Sequence, residues 1–146
     1  MLQGNSARRL IVARENVFWT AKAIGADDII DVVVPPRASM PEFLRRARDI
    51  ALAEGIGMSG CGHAGDGNVH GVLFCKDRKL RKKLLTDIFA FAMSLGGAIS
   101  GEHGVGRAKA DYFCELEDPA KLALMQRIKH SFDPAGILNP GVVFFV

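Results

Sequence analysis

Apolar residues recur at two different spacings along the chain, and the spacing changes near glycine and proline residues. Helical spacing, with apolar positions three or four residues apart, covers four segments: 6–23, 39–55, 78–95 and 119–132. Runs of β-branched or extended character cover four more: 28–34, 56–63, 68–75 and 98–100. The resulting order is helix, strand, helix, strand, strand, helix, strand, helix. This order predicts an α+β fold with an antiparallel sheet covered by helices mainly on one face.

Turn-forming and capping residues indicate where these elements begin and end. Ser39, Pro41 and Glu42 predict a capping box at the start of the second helix. The four residues 64–67, Ala-Gly-Asp-Gly, separate two extended segments and therefore predict a hairpin. Asp118 precedes a proline and is expected to begin the last helix.

Composition indicates one domain, residues 1–146, and argues against several classes of function. A chain of 146 residues with 49% hydrophobic content is large enough for a single core. The net charge of +3 is too small to indicate nucleic-acid binding. Three cysteines without a CxxC pair argue against a disulfide framework. Because no apolar run approaches the roughly 18 residues of a membrane span, and no secretory leader pattern is present, we expect a cytoplasmic chain that does not cross a membrane.

Three of the four histidines lie in two glycine-rich segments. The first segment reads His63-Ala-Gly-Asp-Gly-Asn-Val-His70, and the second reads Gly101-Glu-His-Gly-Val-Gly106. A separation of seven residues excludes a helical zinc pair, but a hairpin that reverses between His63 and His70 brings both imidazoles towards one ion. Glu102, expected at the end of a neighbouring strand, could complete a three-ligand set that leaves one position open.

Glu102 and His103 are adjacent, so in an extended segment their side chains would point to opposite faces, and both could be ligands only if the backbone bends. We therefore expect Glu102 to be the ligand and His103 to exchange protons. Two imidazoles and one carboxylate suit Zn²⁺, and Mn²⁺, Co²⁺ or Fe²⁺ also fit the set. Asp66 and Asn68 are expected to be turn residues that bond to nearby backbone.

Three ordered motifs resemble the C-terminal domain of FAD-linked oxidases, most closely the branch of the glycolate oxidase large subunit and the D-2-hydroxyacid dehydrogenases. The motifs are residues 62–70, 96–106 and 128–141. Before residue 56 the resemblance rests on four single positions: Arg14, Phe18, Asp31 and Pro35.

This resemblance implies a ferredoxin-like α+β domain that binds substrate and metal in an FAD-dependent enzyme. The implied reaction is oxidation of a 2-hydroxy acid of the glycolate or D-lactate type, with hydride passing to the flavin. By similarity, His63, His70 and Glu102 would hold a divalent metal, expected to be Zn or Mn, and His103 would remove the hydroxyl proton. The remaining implied contacts are with substrate and FAD: Arg14 and Lys109 with the substrate, and Asn139 with FAD.

The resemblance also implies partners. The family's FAD-binding N-terminal portion is not part of this sequence, so the expected partners are a small 2-hydroxy acid and an FAD-binding domain or subunit. The apolar tail, residues 137–146, could promote homo-oligomerisation. Two other classes stay open: a non-catalytic metal-binding or interaction module derived from such an enzyme, and a metal-dependent hydrolase. The hydrolase is disfavoured because no serine or cysteine nucleophile is paired with a base.

Overall fold

A computed structural model describes residues 3–24, 29–33 and 36–143 and has the predicted α+β character. In these ranges the chain forms six α-helices, one 3-10 turn and three strands. In chain order they are α1 Asn5–Glu15, α2 Val17–Ala23, β1 Ile29–Val33, the 3-10 turn Arg37–Ser39, α3 Met40–Ala53, β2 Met58–His63, β3 Asn68–Leu73, α4 Arg78–Ser94, α5 Ala110–Leu116 and α6 Pro119–Phe132.

The three strands form one antiparallel sheet in the order β1-β3-β2. β2 and β3 form the predicted hairpin, in a register that runs from Met58 opposite Leu73 to His63 opposite Asn68. β1 lies on the other side of β3, and its register shifts between Ile30 and Val33. β3 is therefore the central strand, and residues on it are held from both sides.

One face of the sheet is covered by α3 and α4, which pack against each other. Val69 and Leu73 of β3 belong to the same buried cluster as Phe43 of α3 and Leu84 and Phe89 of α4. Burying a large apolar side chain of this kind contributes about 1.5–3 kcal/mol. This cluster fixes the position of β3, because its apolar residues at alternating positions are held on the helix side.

Helix ends are capped by groups that the sequence analysis identified only in part. α6 begins directly after Asp118, as predicted, and the Asp118 side chain caps it by accepting a hydrogen bond from the Ala120 backbone N–H at 2.7 Å. Asp77 caps α4 in the same way, with its Oδ1 2.8 Å from the Lys79 nitrogen. The predicted capping box at Ser39 is wrong: this side chain makes no capping bond, because a 3-10 turn leads directly into α3 and gives Ser39 a near-helical conformation.

Two further boundaries differ from the prediction. The helix expected over 6–23 is divided at Asn16 into α1 and α2. The strand expected over 98–100 is reduced to a single bridge residue at Ala98, because the glycines on both sides leave too short a run to form a ladder. α5 was not expected at all.

The order of β1, α3, β2, β3 and α4 agrees with the first five elements of a ferredoxin-like β-α-β-β-α-β unit. The fourth strand of such a unit is absent from the described residues, since 98–100 was its predicted place. The ferredoxin-like arrangement therefore stays a prediction. Residues 28 and 34 of the first predicted strand, and residues 144–146 of the apolar tail, lie outside the described residues. None of the described helices is both long and apolar enough to cross a membrane.

Candidate metal centre

The first histidine cluster lies at the tip of the β2–β3 hairpin, on the sheet face opposite α3 and α4. His63 ends β2 and pairs with Asn68, and His70 is two residues further along β3. Because directly paired residues share a face and successive residues alternate, these three side chains lie on one face. The hairpin therefore does what the spacing predicted and brings His63 to His70, with ring centroids 5.4 Å apart.

The turn between the strands is held from within and from outside. The Asp66 N–H donates to the His63 carbonyl at 2.9 Å, and Gly67 has a φ of 77°, a conformation that glycine adopts without strain. Arg37, in the 3-10 turn before α3, donates from Nη1 to the Gly65 carbonyl at 3.1 Å. The loop is thus connected to the helical layer.

Two glycines allow β2 and β3 to lie unusually close together. A Cβ atom placed at Gly60 would be 2.5 Å from the carbonyl oxygen of His70, and one at Gly62 would overlap the carbonyl oxygen of Asn68. A side chain at either position would force the strands apart. These glycines therefore help to set the separation between the two histidines.

Glu102 joins the two glycine-rich segments into one site. Its Oε1 lies 3.0 Å from the His70 Nε2, 3.5 Å from the His63 Nε2 and 3.5 Å from the His103 Nε2. One carboxylate oxygen is therefore within reach of three imidazoles. The His70 ring is also 5.3 Å from the His103 ring, centroid to centroid.

The extended conformation that would point Glu102 and His103 to opposite faces is not found. Residues 101–103 form a bend and not a strand, and Gly104 follows with a φ of 76°. In a bend, neighbouring side chains can converge, so Glu102 and His103 approach the same point. The glycines of the second segment supply the freedom that this bend needs.

The donor atoms fit a divalent ion. One donor atom each from His63, His70 and Glu102 lie within 4.8 Å of one another. Donors at about 2.0–2.2 Å around a tetrahedral Zn²⁺ are about 3.3–3.6 Å apart, and the two imidazole-to-carboxylate distances fall close to that range. His63 and Glu102 are 43% and 47% exposed, so the group is open on one side. An ion held there could accept a further ligand from solution.

An open depression borders the three-ligand group. Its lining residues are His63, Asp66, Asn68, Gly101 and Glu102. Asp66 is exposed, whereas Asn68 is only 6% exposed and its Oδ1 has no hydrogen-bond partner. Asn68 is predicted to be a turn residue from its sequence, and in the structure it is the first residue of β3. The sequence does contain a signal for this position: Asn68 comes two residues before His70, so in a strand the two side chains lie on the same face.

The other predicted site residues are Lys109, Arg14 and Asn139. Lys109 is buried, and its Nζ is 3.2 Å from the Oγ of Ser100, two residues before Glu102. Arg14 is exposed on α1, a helix in which no described residue is buried, and Asn139 is exposed with a φ of 48°. Neither Arg14 nor Asn139 is among the residues that line the depression beside the three-ligand group.

Three positions that carried the resemblance before residue 56 add nothing to this geometry. The side chains of Phe18 and Asp31 and the whole of Pro35 lie outside what the structure describes.

Fold and site together define an α+β domain that presents a candidate divalent-metal site on the sheet face away from its main helices. Residues 3–143 match the family model for FAD linked oxidases, C-terminal domain. This chain belongs to that family, as the C-terminal domain.

Curated relatives agree with this assignment. An uncharacterized FAD-linked oxidoreductase of Mycobacterium tuberculosis is 71% identical over 144 residues, which are 99% of this chain and 31% of that protein. The D-lactate dehydrogenase of Archaeoglobus fulgidus is 42% identical over 120 residues, 80% of this chain and 26% of that protein. The glycolate oxidase subunit GlcD of Bacillus subtilis is 34% identical over 140 residues, 92% of this chain and 30% of that protein. The chain thus spans less than a third of the length of these relatives.

Proposed function

We propose that this chain is the substrate- and metal-binding domain of an FAD-dependent oxidoreductase that oxidises a 2-hydroxy acid of the glycolate or D-lactate type. The observation that carries the proposal is the position of one Glu102 oxygen within 3.5 Å of the Nε2 atoms of three histidines. Relatives named D-lactate dehydrogenase and glycolate oxidase support the choice of substrate class.

In this proposal the three-ligand group and its neighbour have separate tasks. His63, His70 and Glu102 hold a divalent metal, Zn or Mn, and His103 takes the proton from the substrate hydroxyl. When bound, the ion would lower the pKa of a ligated hydroxyl and the flavin would accept hydride. His103 can act as the base because its Nε2 reaches the same carboxylate oxygen as the two ligand histidines.

The remaining predicted contacts belong to substrate and flavin. Arg14 would bind the substrate carboxylate, a task for which a planar guanidinium group is suited, and Lys109 would contact the substrate. Lys109 is better placed than Arg14 to contact the substrate, because its Nζ donates a hydrogen bond to Ser100, two residues before Glu102. Asn139 would contact FAD, which is held mainly by residues outside this chain.

We extend the proposal to the setting of the domain. Residues 1–146 form one domain that acts with an FAD-binding domain or subunit, in the cytoplasm and without nucleic acid. Ile137 and Leu138 are 74% and 54% exposed, which supplies apolar surface for that partner or for a second copy of the chain.

Metal content is the first test. The chain is purified without a histidine tag, supplied with Zn²⁺ or Mn²⁺, and analysed for bound metal beside His63→Ala and Glu102→Ala. About one ion per wild-type chain, lost in both variants, is the expected result. Full metal content in both variants would contradict the assigned ligand set, and a wild-type chain without metal would leave the proposed centre without support.

A chimera tests the reaction. Because the Mycobacterium tuberculosis relative is 71% identical over 99% of this chain, this sequence can replace the corresponding third of that protein. We expect anaerobic glycolate or D-lactate to bleach the flavin absorbance of the chimera, and His103→Ala to prevent it. A chimera that binds flavin and metal but is reduced by no 2-hydroxy acid would favour the non-catalytic metal-binding module. Turnover of an ester that depends on His103 would favour the hydrolase.

A further inference from the structure

The fold holds the two ligand histidines to different degrees. His70 lies on the central strand β3, and its side chain is the least exposed of the three proposed ligands. His63 ends β2, which has β3 on one side only in the described sheet, and all residues of β2 after Met58 are exposed. The His63 end of β2 is therefore not packed against the core, and contacts of another kind must hold it beside the other ligands.

Arg37 reaches the turn that follows His63 from a different part of the fold. It begins the 3-10 turn that leads directly into α3, and α3 buries Phe43 in the core. The Arg37 Nη1 donates a hydrogen bond to the Gly65 carbonyl at 3.1 Å. A bond from a charged donor is stronger than one between neutral groups. The turn is therefore attached to an element that the core holds in place.

One peptide group connects Arg37 to His63. The Gly65 carbonyl, which accepts from Arg37, and the Asp66 N–H belong to the same planar peptide unit. That N–H donates to the His63 carbonyl at 2.9 Å. A hydrogen bond accepted at the oxygen of a peptide group polarises the group and strengthens the bond that its N–H donates. The Arg37 guanidinium therefore acts on the backbone of His63 through one rigid unit.

The positive charge of Arg37 is by itself no advantage to a cation site. A guanidinium bonded to the turn that follows a metal ligand repels a divalent ion, although water and salt weaken this repulsion. The bond to Gly65 acts in the opposite direction, because it favours the conformation that binds the ion. Charge and bonding therefore predict opposite effects of removing Arg37.

We propose that Arg37 is a positioning residue of the metal centre, which holds the ligand His63 in place through the peptide group between Gly65 and Asp66. This inference rests on the proposed function, since it assumes that the three-ligand group binds a divalent ion. Loss of the bond lets the turn and His63 adopt other conformations in the metal-free chain. Because the affinity falls in proportion to the fraction of chains that are competent to bind, the ion then binds more weakly.

Two substitutions of Arg37 test the inference by calorimetric titration of Zn²⁺ and Mn²⁺ into the metal-free chains. Arg37→Met keeps an unbranched side chain without a donor, and is expected to weaken binding about fivefold, the factor that corresponds to one ordinary hydrogen bond. Arg37→Lys keeps both a donor and the charge, and is expected to bind the ions more tightly than Arg37→Met. Arg45→Ala is the matched control, because it removes an exposed arginine from α3 and is expected to bind them as the wild type does.

Two measurements on the metal-free chains separate a local role from a structural one. Because the bond is exposed at the tip of a hairpin, its loss in Arg37→Met is expected to leave the melting temperature close to the wild-type value. The Asp66 amide proton is expected to exchange with solvent faster in Arg37→Met, because its bond to the His63 carbonyl opens more often. Solvent-exchange NMR measures this rate without any metal ion.

The outcomes distinguish this inference from the metal centre itself. Equal affinity in Arg37→Met and the wild type, or tighter binding by Arg37→Met than by Arg37→Lys, would overturn the role of Arg37 and leave the centre intact. A large fall in the metal-free melting temperature of Arg37→Met, or its failure to fold, would show a structural role and overturn the inference as well. A wild-type chain that binds neither ion would overturn both.

Discussion

Glu102 contacts three histidines, two of which lie far from it in the sequence. Its carboxylate is 47% exposed, so a single surface ion pair there would contribute little to stability. The three imidazoles nevertheless lie around one Glu102 oxygen, although they come from two segments that are more than thirty residues apart. The proposed metal centre would account for this convergence, because exposed ion pairs alone contribute little to stability.

The two ligand histidines are expected to be equally necessary. His63→Ala and His70→Ala should each weaken Zn²⁺ or Mn²⁺ binding by more than tenfold, because each removes one of only three protein ligands. His130→Ala is the control, since His130 is exposed on α6. Calorimetric titration of the metal-free chains measures all three. Equal affinity in His63→Ala and the wild type would exclude the assigned ligand set.

Substitution of His103 is expected to slow turnover without weakening metal binding. His103→Ala is expected to keep the metal affinity within about threefold, because His103 is not in the three-ligand group. In the flavin-containing chimera it should lower the rate of flavin reduction by at least 100-fold, the contribution of a positioned base. Stopped-flow absorbance gives that rate. A variant that reduces flavin at the wild-type rate would exclude the base role.

The contribution of Asp133 to the stability of the chain is expected to depend on pH. Its buried carboxylate accepts hydrogen bonds from the Ile137 and Leu138 backbone N–H groups at 2.9 and 3.0 Å, and pairs with Lys129. The bond from Lys129, together with these backbone bonds, lowers the pKa of the carboxyl below its ordinary value. A lowered pKa contributes stability above the unfolded value of about 3.9, and this contribution is lost as the pH falls through the folded value.

Asp133→Asn should therefore lower the melting temperature by several degrees at neutral pH. The difference from the wild type should shrink as the pH falls below about 4, because protonation then removes the charge of the wild-type Asp133 as well. Thermal melts from neutral to acidic pH measure this, with Asp111→Asn, an exposed residue on α5, as the control. A difference that stays constant across this pH range would show that Asp133 acts by shape and not by charge.

At the scale of the elements, the β2–β3 hairpin determines the geometry of the site. Gly62→Ala is expected to destabilise the chain and to weaken metal binding together, because the new Cβ would overlap the Asn68 carbonyl oxygen and push His63 away from His70. Gly65→Ala is the matched control: Gly65 lies three residues further on, in the turn of the same hairpin, and a Cβ there meets no atom within 4 Å. Melting temperature and metal titration are measured for both. If the two variants behave alike, the close approach of the strands is not what sets the site.

The hairpin and the helices could be predicted because their signals are local. A Gly-Asp-Gly turn between extended segments, and an Asp-Pro before a helical stretch, determine structure through the conformations of neighbouring residues. The bend at residues 101–103 could not be predicted in this way, because glycine permits a bend without requiring one. The same applies to Asn68, whose burial depends on the packing of the whole sheet.

At the scale of the whole molecule, one face of the sheet packs against helices and the other carries the candidate metal site. Phe43, Leu84 and Phe89 cover one side and hold β3 in place. The opposite side carries His63 and His70, whose side chains are 43% and 14% exposed. The candidate site is therefore built partly on the central strand β3, and of its three proposed ligands His70 is 14% exposed whereas His63 and Glu102 are about half exposed. Since His63 and Glu102 are about half exposed, their own contacts contribute little to stability without an ion.

It follows that metal binding should stabilise the whole domain. A ligand that binds only the folded state at a hundred times its Kd adds about 2.7 kcal/mol to the free energy of unfolding. For a chain of 146 residues this corresponds to a rise of about 5–10 °C in melting temperature. We expect this rise when Zn²⁺ or Mn²⁺ is added to the wild type, its reversal by a chelator, and no rise in Glu102→Ala. The metal-free melting temperature of Glu102→Ala should stay close to the wild-type value, because that carboxylate is half exposed. An equal rise in both chains would place the stabilising ion elsewhere, with the exposed Cys61 and Cys114 as the first groups to examine.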